Sequence, residues 1–379
     1  MNKKAAICGL GVSCEHDAAF IMDCMEVYMG FQIKKFRDID LNDKFFDSLK
    51  ADYAEFSDWF NKKSENKALI HFDKNNILNG FLYLKPEEEE LNIDPPQGKL
   101  KRLKVGTMKI DAHGTRLGER FIKKIFDYAF HEKVEEIYVT IFDKHDSLIQ
   151  LFKKYDFNLI GLKRSNNGSE NVLIRKFSGE NVIYNYPFIT HDNNSNIYFL
   201  AVKPKYHSRL FPDSILKTED STIAKDISYT NSIHKIYIAA MNGMENIKKN
   251  DIILIYRTAE DGKSAYYNSV ITSLCVIEEY KNINEFDTYN EFEDYCKNYS
   301  IFDQKELDTI YKLKKYKHVI RMTYNIALNK RINRAKLIDL GIMSNEKGFY
   351  SGFGSINYDQ LVSVLQEGKV NEGLIINQT

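Results

Sequence analysis

Residues 100–129 read LKRLKVGTMKIDAHGTRLGERFIKKIFDYA, and this stretch decides how the first half of the chain is built. Leu100 to Ile110, after the surface loop at Pro95-Pro96, is read as a strand. Leu117, Phe121, Ile125, Phe126 and Ala129 then recur at three- and four-residue steps, which places them on one face of a helix. Gly114 and Gly118 flank the junction. A strand that breaks at glycines into a helix presents first-turn N–H groups, a ready anion site.

Outward from that junction the periodicity continues. Gln32 to Ile39 alternates as an edge strand, and Asn42-Asp43 offers a helix cap ahead of Phe45, Phe46, Leu49, Tyr53, Phe56, Trp59 and Phe60. Ala68 to Phe72 and Leu78 to Leu84 predict a hairpin around Asp73-Lys74-Asn75-Asn76. The acidic run Glu87 to Glu90 with Pro95-Pro96 is read as a surface loop that could draw a cationic amine. On the other side come a strand at Glu136 to Phe142, a short helix opened by His145-Asp146-Ser147, and two strands around Asn166-Asn167-Gly168. The predicted order is β, α, β, β, β, α, β, α, β, β.

That order resembles the GNAT family of N-acetyltransferases over residues 31–177. Its phosphate-loop pattern, Q/R-x-x-G-x-G/A, falls on His113-Gly114-Thr115-Arg116-Leu117-Gly118. Only the last glycine is kept, and Arg116 stands at the middle one. A second family signature falls on Val139, Ile141, His145, Leu148, Leu151, Phe152, Asp156 and Phe157. Phe152 stands where many members carry a tyrosine that protonates the leaving thiolate, and phenylalanine has no proton to give. The resemblance implies acetyl-CoA as co-substrate, held by Met108, Ile110, His113, Gly114, Thr115, Arg116, Leu117 and Gly118. A backbone N–H between Lys101 and Ile110 would face the oxyanion. Candidates for base or acid are Asp111, His113, Tyr138, His145 and Tyr155.

The chain has 379 residues, more than one core usually organises, so two domains are expected. Polar residues from Gly179 to Asn196 mark the boundary: an extension at 1–28, an acetyl-CoA-binding domain at 29–178, a linker at 179–196 and a second domain at 197–379. In the second, Phe199 to Lys205 and Ile247 to Tyr256 resemble a PUA-like barrel of the ASCH or EVE type. Asn250 replaces the glycine usual before Asp251, and the G-x-K-x-x-E-x-R signature is absent. The fold class expected is thus α/β of GNAT type with a C-terminal PUA-like β-barrel carrying helices.

Such barrels bind RNA or modified bases. A basic stripe of Lys312, Lys314, Lys315, Lys317, His318, Arg321, Lys330, Arg331, Arg334 and Lys336, with Tyr311, Tyr316 and Tyr324, could serve, or could be a solvated helix face. Charges balance at 53 acidic and 53 basic residues, so any nucleic-acid contact must be local. No apolar run approaches the length of a membrane helix, and a cytoplasmic location is expected. Cys8, Cys14 and Cys24 with His16 lack paired C-x-x-C spacing, so no metal is expected. The two resemblances imply two alternative functions: acetyl transfer to an amine on an RNA or nucleoprotein such as charged tRNA, or a non-catalytic CoA-fold domain coupled to a sensor of RNA or a modified nucleotide. RNA or tRNA is the expected partner, with a homodimer as a further expectation and no membrane.

Overall fold

The computed structural model describes residues 31–111, 114–180, 182–192, 194–216, 219, 227–370 and 372–378. Cys8, Cys14, Cys24, His16, the extension at 1–28 and His113 lie outside the described residues.

The first unit runs β1 (Phe31–Lys35), α1 (Asp47–Asp52), α2 (Phe56–Lys62), β2 (Lys67–Phe72), β3 (Leu78–Leu91), β4 (Gln97–Ile110), α3 (Leu117–Glu132), β5 (Glu136–Phe142), α4 (Asp146–Lys154), β6 (Asn158–Ser165) and β7 (Gly168–Lys176). Its seven strands form one sheet in the order β1-β2-β3-β4-β5-β7-β6. Every neighbouring pair is antiparallel except β4 and β5, where α3 carries the chain back for a parallel pairing.

The apolar positions of α3 cover one face of this sheet, where Phe121, Ile122, Ile125 and Phe126 meet Val105, Met108, Val139, Ile141 and Leu173. Each such side chain contributes about 1.5–3 kcal/mol when fully buried, and Phe126→Ala would cost about 3–5 kcal/mol. The opposite face is covered by an aromatic cluster of Phe36, Phe45, Phe46, Phe56, Phe60, Phe81 and Tyr83. The segment expected as one helix after Asp43 is divided: Asp43 caps a 3-10 turn at Lys44–Phe46, and α1 and α2 follow. The acidic run Glu87 to Glu90, expected as a loop, instead lies within β3. In the ladder Glu87 stands opposite Arg102 and Glu88 opposite Lys101, while the ion pairs join Glu87 to Lys85 and Glu88 to Lys99.

The second unit contains β8 (Ile189–His191), β9 (Ile197–Val202), α5 (Pro204–Leu210), α6 (Ser228–Asn231), β10 (His234–Ala239), β11 (Ile252–Arg257), α7 (Ala265–Asn268) and β12 (Val270–Asn282). It continues through α8 (Tyr289–Cys296), α9 (Gln304–Leu313), β13 (His318–Asn333), α10 (Arg334–Asp339), β14 (Phe353–Ile356), α11 (Tyr358–Glu367) and β15 (Ile375–Asn377). Six strands make a sheet ordered β10-β13-β12-β11-β9-β14, and β8 pairs with β15. The expected closed barrel is not formed. Among the described residues β10 and β14 remain the two unpaired ends of that sheet, although three register shifts bend the long β12/β13 pair.

The basic stripe is also laid out differently from a helix face. Its middle is the sixteen-residue strand β13, because Val319, Ile320, Met322, Tyr324, Ile326 and Leu328 are buried in the sheet. A strand rises about 3.3 Å per residue, so Arg321 and Arg331 stand about 33 Å apart.

The two units share a core. Phe188, Ile189 and Phe199 belong to the same buried cluster as Phe121 and Phe126. Tyr186 packs its ring against Phe126 and Tyr155, and Arg175 donates to the carbonyls of Ile183 and Tyr186. Residues 179–196, expected as a linker, therefore include a packed segment rather than only a free tether.

Candidate functional site

A break in the first sheet makes the site. Parallel pairing of β4 with β5 extends only from Arg102 opposite Glu136 to Val105 opposite Val139, yet β4 continues to Ile110 and β5 to Phe142. The cause is local: Tyr83 pairs with Thr107 and Leu84 with Val105, so Gly106 is an extra residue that bulges β4. Glycine is required there, because a Cβ would stand 2.7 Å from the Tyr83 ring. Beyond Val105, the β4 backbone groups that point away from β3 have lost their β5 partners and face the split.

At the outer end of the split, β4 turns into α3. Gly114 (φ 80°) and Arg116 (φ 56°) both take the left-handed conformation. Gly118 lets α3 approach α4, since its Cβ would meet Leu151 at 2.8 Å. Met108 is buried beneath α3, and Ile110 lies beside Gly118. Of the residues expected to hold a cofactor, Met108 and Ile110 lie on β4 and Gly114, Thr115, Arg116, Leu117 and Gly118 at the start of α3, with Met108 and Leu117 buried in the core. In the first turn of α3 the Glu119 N–H bonds the Arg116 carbonyl at 3.0 Å, while those of Leu117 and Gly118 precede the first intrahelical bond.

The second unit grips this loop through its carbonyl side. Ser228 Oγ donates to the Gly114 carbonyl at 2.7 Å, and Asn231 Nδ2 to the Thr115 carbonyl at 2.9 Å. Glu119, in the first turn of α3, accepts from Arg116 and Lys154 and from Ser232 Oγ and the Ile233 N–H. Burial alone would raise its pKa, but Lys154 and these hydrogen bonds win and hold it at about 2. Further along α3, Asp213 of the second unit meets Lys124 at 2.7 Å and Arg120 at 3.4 Å.

On the face of the sheet opposite α3, beside the split, lies a polar well. Glu170 of β7 is buried and accepts hydrogen bonds from Tyr53 Oη at 2.7 Å and Thr140 Oγ1 at 3.2 Å. Lys104 stands at the apex, its ammonium 5.7 Å from the Tyr138 ring centre. Burial and the neighbouring Lys163 lower the Lys104 pKa. Tyr138 donates to Glu87, which also pairs with Lys85 at 3.0 Å. Burial opposes ionisation of Glu87, yet those two hydrogen bonds hold its pKa below the ordinary value.

The residues expected to act as acid or base do not converge. Tyr138 lies in the well, and burial followed by its bond to Glu87 raises its hydroxyl pKa. His145 precedes α4 and meets Asp52 at 2.9 Å, while Asp111 is exposed and lies 3.4 Å from Lys109. Tyr155 is on the other side of the sheet against Tyr186, with its pKa raised by burial and then by Glu119. Glu170, Tyr53 and Lys104 were not singled out from the sequence. Only the strand alternation that puts Glu170 on the face of Thr140 and Phe142 could have marked it.

The basic residues expected at nucleic acid are dispersed. Lys314 ends α9 beside Tyr311, and Lys315 and Lys317 lie in the connection to β13. Arg321 pairs with Glu278, Lys330 with Glu367, Arg331 donates to the carbonyls of Leu328 and Asp213, and Arg334 donates to that of Ser344. Arg321 and Glu278 do border a cavity of about 1030 Å³, with Tyr186, Lys248, Lys249 and Tyr280 among its other walls. Tyr299 links that cavity to the loop, its ring centre 4.6 Å from the Arg116 guanidinium and 4.8 Å from that of Arg321. Among the described residues no group of three metal-ligating side chains converges, and no helix is long and apolar enough to cross a membrane.

The first unit is a mixed α/β sheet split between β4 and β5, joined to a second, open sheet. Solved structures similar to parts of the chain include a putative phosphinothricin N-acetyltransferase, at 16% identity over 39% of this chain and 99% of that one, with a TM-score of 0.30. Another is a GNAT superfamily phosphinothricin acetyltransferase from Sinorhizobium meliloti in complex with AcCoA, at 14% identity over 39% and 89%, TM-score 0.29. The ZmASCH protein from Zymomonas mobilis is similar at 6% identity over 46% and 96%, TM-score 0.29. At these values the likenesses are partial, and no residue role is carried over from them. No protein-family profile and no curated protein matches the chain.

Proposed function

We propose that the first unit transfers the acetyl group of acetyl-CoA to a primary amine. The observation that carries this is the split of β4 from β5 at Gly106, with a helix start at its outer end and a buried carboxylate on its other face. Unpaired β4 backbone groups suit the amides of a pantetheine arm and the thioester oxygen. The first-turn N–H groups of α3 suit a pyrophosphate, with Arg116 adding positive charge. On the acceptor side Glu170 is placed to take a proton from an incoming ammonium. Thiolate is a leaving group of modest basicity, so Phe152 in place of a tyrosine acid does not preclude the reaction.

A second reading concerns the other unit. The cavity bordered by Lys248, Lys249, Arg321 and Tyr280 combines cations with an aromatic wall, which suits RNA or a modified nucleotide. On that reading the acceptor is RNA-linked, as in charged tRNA, or the second unit senses a nucleotide and the first does not turn over.

Calorimetric titration of acetyl-CoA into the full chain tests the first reading. Micromolar binding, weakened in competition with desulfo-CoA, is the expected result. No binding at millimolar ligand sinks acetyl transfer and leaves the second unit as the functional half.

A further inference from the structure

We propose that Tyr299, in the second unit, is a positioning residue for the phosphate-bearing end of acetyl-CoA: it holds the Arg116 guanidinium at the start of α3 without cancelling its charge. The proposal rests on the acetyl-transfer reading and adds to it a residue outside the first unit. The ring centre of Tyr299 lies 4.6 Å from the Arg116 guanidinium. Arg116 has a left-handed main chain, at φ 56°, directly before Leu117, so its side chain leaves the loop where the helix begins.

The guanidinium is held at one edge and over one ring. Its Nη1 donates to Glu119 at 2.9 Å, and among the described residues Nε and Nη2 donate to no protein acceptor, while the side chain keeps 27% of its exposure. Glu119 does not neutralise it alone, because the same Oε1 also meets Lys154 at 2.8 Å, so one carboxylate faces two cations. Glu278, the carboxylate on the Arg321 side of Tyr299, is taken by Arg321 at 3.2 Å and His234 at 2.8 Å. A positive charge is left at the end of a helix whose own dipole is positive there.

What holds an arginine decides whether it can still attract an anion. A carboxylate in the place of Tyr299 would fix the guanidinium and offset its charge. An aromatic ring attracts a cation through its quadrupole, carries no formal charge and leaves the pull on an anion intact. Tyr299 is itself fixed within the second unit: its carbonyl accepts from the Ile236 N–H and its N–H donates to the Cys296 carbonyl, each at 3.0 Å, and the Arg321 guanidinium lies 4.8 Å from its ring centre. The units are also joined without this contact, since Asp213 meets Lys124 and Arg120 farther along α3. In acetyl-CoA the phosphates carry all the negative charge, and the pantetheine arm and thioester carry none. Tyr299 therefore sets affinity for the phosphate-bearing end and not for the reacting end.

The test titrates the full chain with acetyl-CoA by calorimetry and with S-acetylpantetheine, which keeps the thioester and lacks the phosphates, by ligand-observed NMR. Tyr299→Leu should raise the Kd for acetyl-CoA roughly 3- to 30-fold, the range of a cation–ring contact, and leave S-acetylpantetheine binding within about a factor of two. Tyr299→Phe keeps the ring and should match the wild-type chain. In an Arg116→Gln background Tyr299→Leu should have no further effect, because the tyrosine acts only through that guanidinium. Equal weakening of both ligands, an unchanged acetyl-CoA Kd in Tyr299→Leu, or additive effects of Arg116→Gln and Tyr299→Leu overturns the proposal. If a thermal melt shows that Tyr299→Leu folds poorly, Arg116→Lys carries the test, since it keeps the charge and loses the planar group that lies over the ring. It should weaken acetyl-CoA selectively, and an Arg116→Lys chain that binds as tightly as wild type overturns the proposal as well. No acetyl-CoA binding by the wild-type chain removes the acetyl-transfer reading itself, whereas intact binding with an indifferent Tyr299→Leu removes the positioning role alone.

Discussion

Asn231, in the second unit, donates its side-chain amide to the backbone carbonyl of Thr115 in the first, at 2.9 Å. With Ser228 on Gly114, it fixes a loop whose two left-handed residues would otherwise have local freedom to open. Both bonds use carbonyls and leave the loop's N–H groups unengaged by these two side chains. On the acetyl-transfer reading proposed above, the second unit thus helps to shape the cofactor site.

The double variant Ser228→Ala, Asn231→Ala should therefore weaken acetyl-CoA binding. Each neutral hydrogen bond contributes about 0.5–1.5 kcal/mol, so together they should raise the Kd by about 5- to 100-fold. Calorimetry reads the affinity, and a thermal melt in the absence of ligand checks that folding is retained.

Asp213 predicts the opposite balance, a large effect on stability. It is buried at the meeting of the units and faces Lys124, Arg120 and, at 4.0 Å, Lys123. Burial would raise its pKa, but the attraction of Lys124 and Arg120 dominates and lowers it. Removing the charge leaves cations without compensation, and Asp213→Asn should cost about 3–5 kcal/mol. The shift in midpoint of urea unfolding reports it.

The same interface should respond to acid. Glu119 has an ordinary value of 4.5 and is held at about 2 in the folded chain, so its contribution to stability is complete above about pH 4.5. It is lost as pH falls from there through about 2, and Asp213 acts with the same sign. Stability measured across this window should decline with falling pH, and Glu119→Gln should flatten that decline at the cost of a lower plateau.

Much of the first sheet is legible in the sequence because its strands alternate or its helices repeat at 3.6. The span Glu136 to Phe142 is a strand, and the apolar positions from Leu117 to Ala129 are one face of α3. Glu87 to Glu90 misleads because four carboxylates in a row look solvated. Their cross-strand neighbours on β4, Arg102 and Lys101, lie more than ten residues away, and strand pairing is not visible locally. The stripe from Lys312 to Lys336 misleads for a related reason: its lysines and arginines outnumber attention to Val319, Ile320, Met322 and Tyr324, which alternate as a buried strand should.

The site divides in the same way. The helix start at Gly114 to Gly118 is local chemistry, and the helix does begin at Leu117. The well is not local: Tyr53, Lys104, Thr140 and Glu170 come from a helix connection and three strands. The bulge at Gly106 opens β4 from β5 beyond Val105, and β7 carries Glu170 opposite the end of β5 at Phe142. Register sets such a cluster, and register is a tertiary property.

Glu170 offers the sharpest test of how that cluster works. Replacement by Gln keeps the shape and most hydrogen bonding but removes the group placed to accept a proton, and general-base removal typically costs about 10²- to 10⁴-fold. Glu170→Gln should lower kcat by that order while acetyl-CoA binding, measured by calorimetry, stays within a factor of about two, since the carboxylate lies on the face away from α3. Tyr53→Phe is the informative companion. It keeps the ring packed on Phe142, with centroids 5.2 Å apart in the native chain, and deletes only the hydroxyl that donates to Glu170. Losing that donor should loosen the carboxylate's position and lower kcat without abolishing turnover. A Glu170→Gln enzyme of full activity would remove this residue from the chemistry, and an unchanged kcat in Tyr53→Phe would show that the donated bond does not position it.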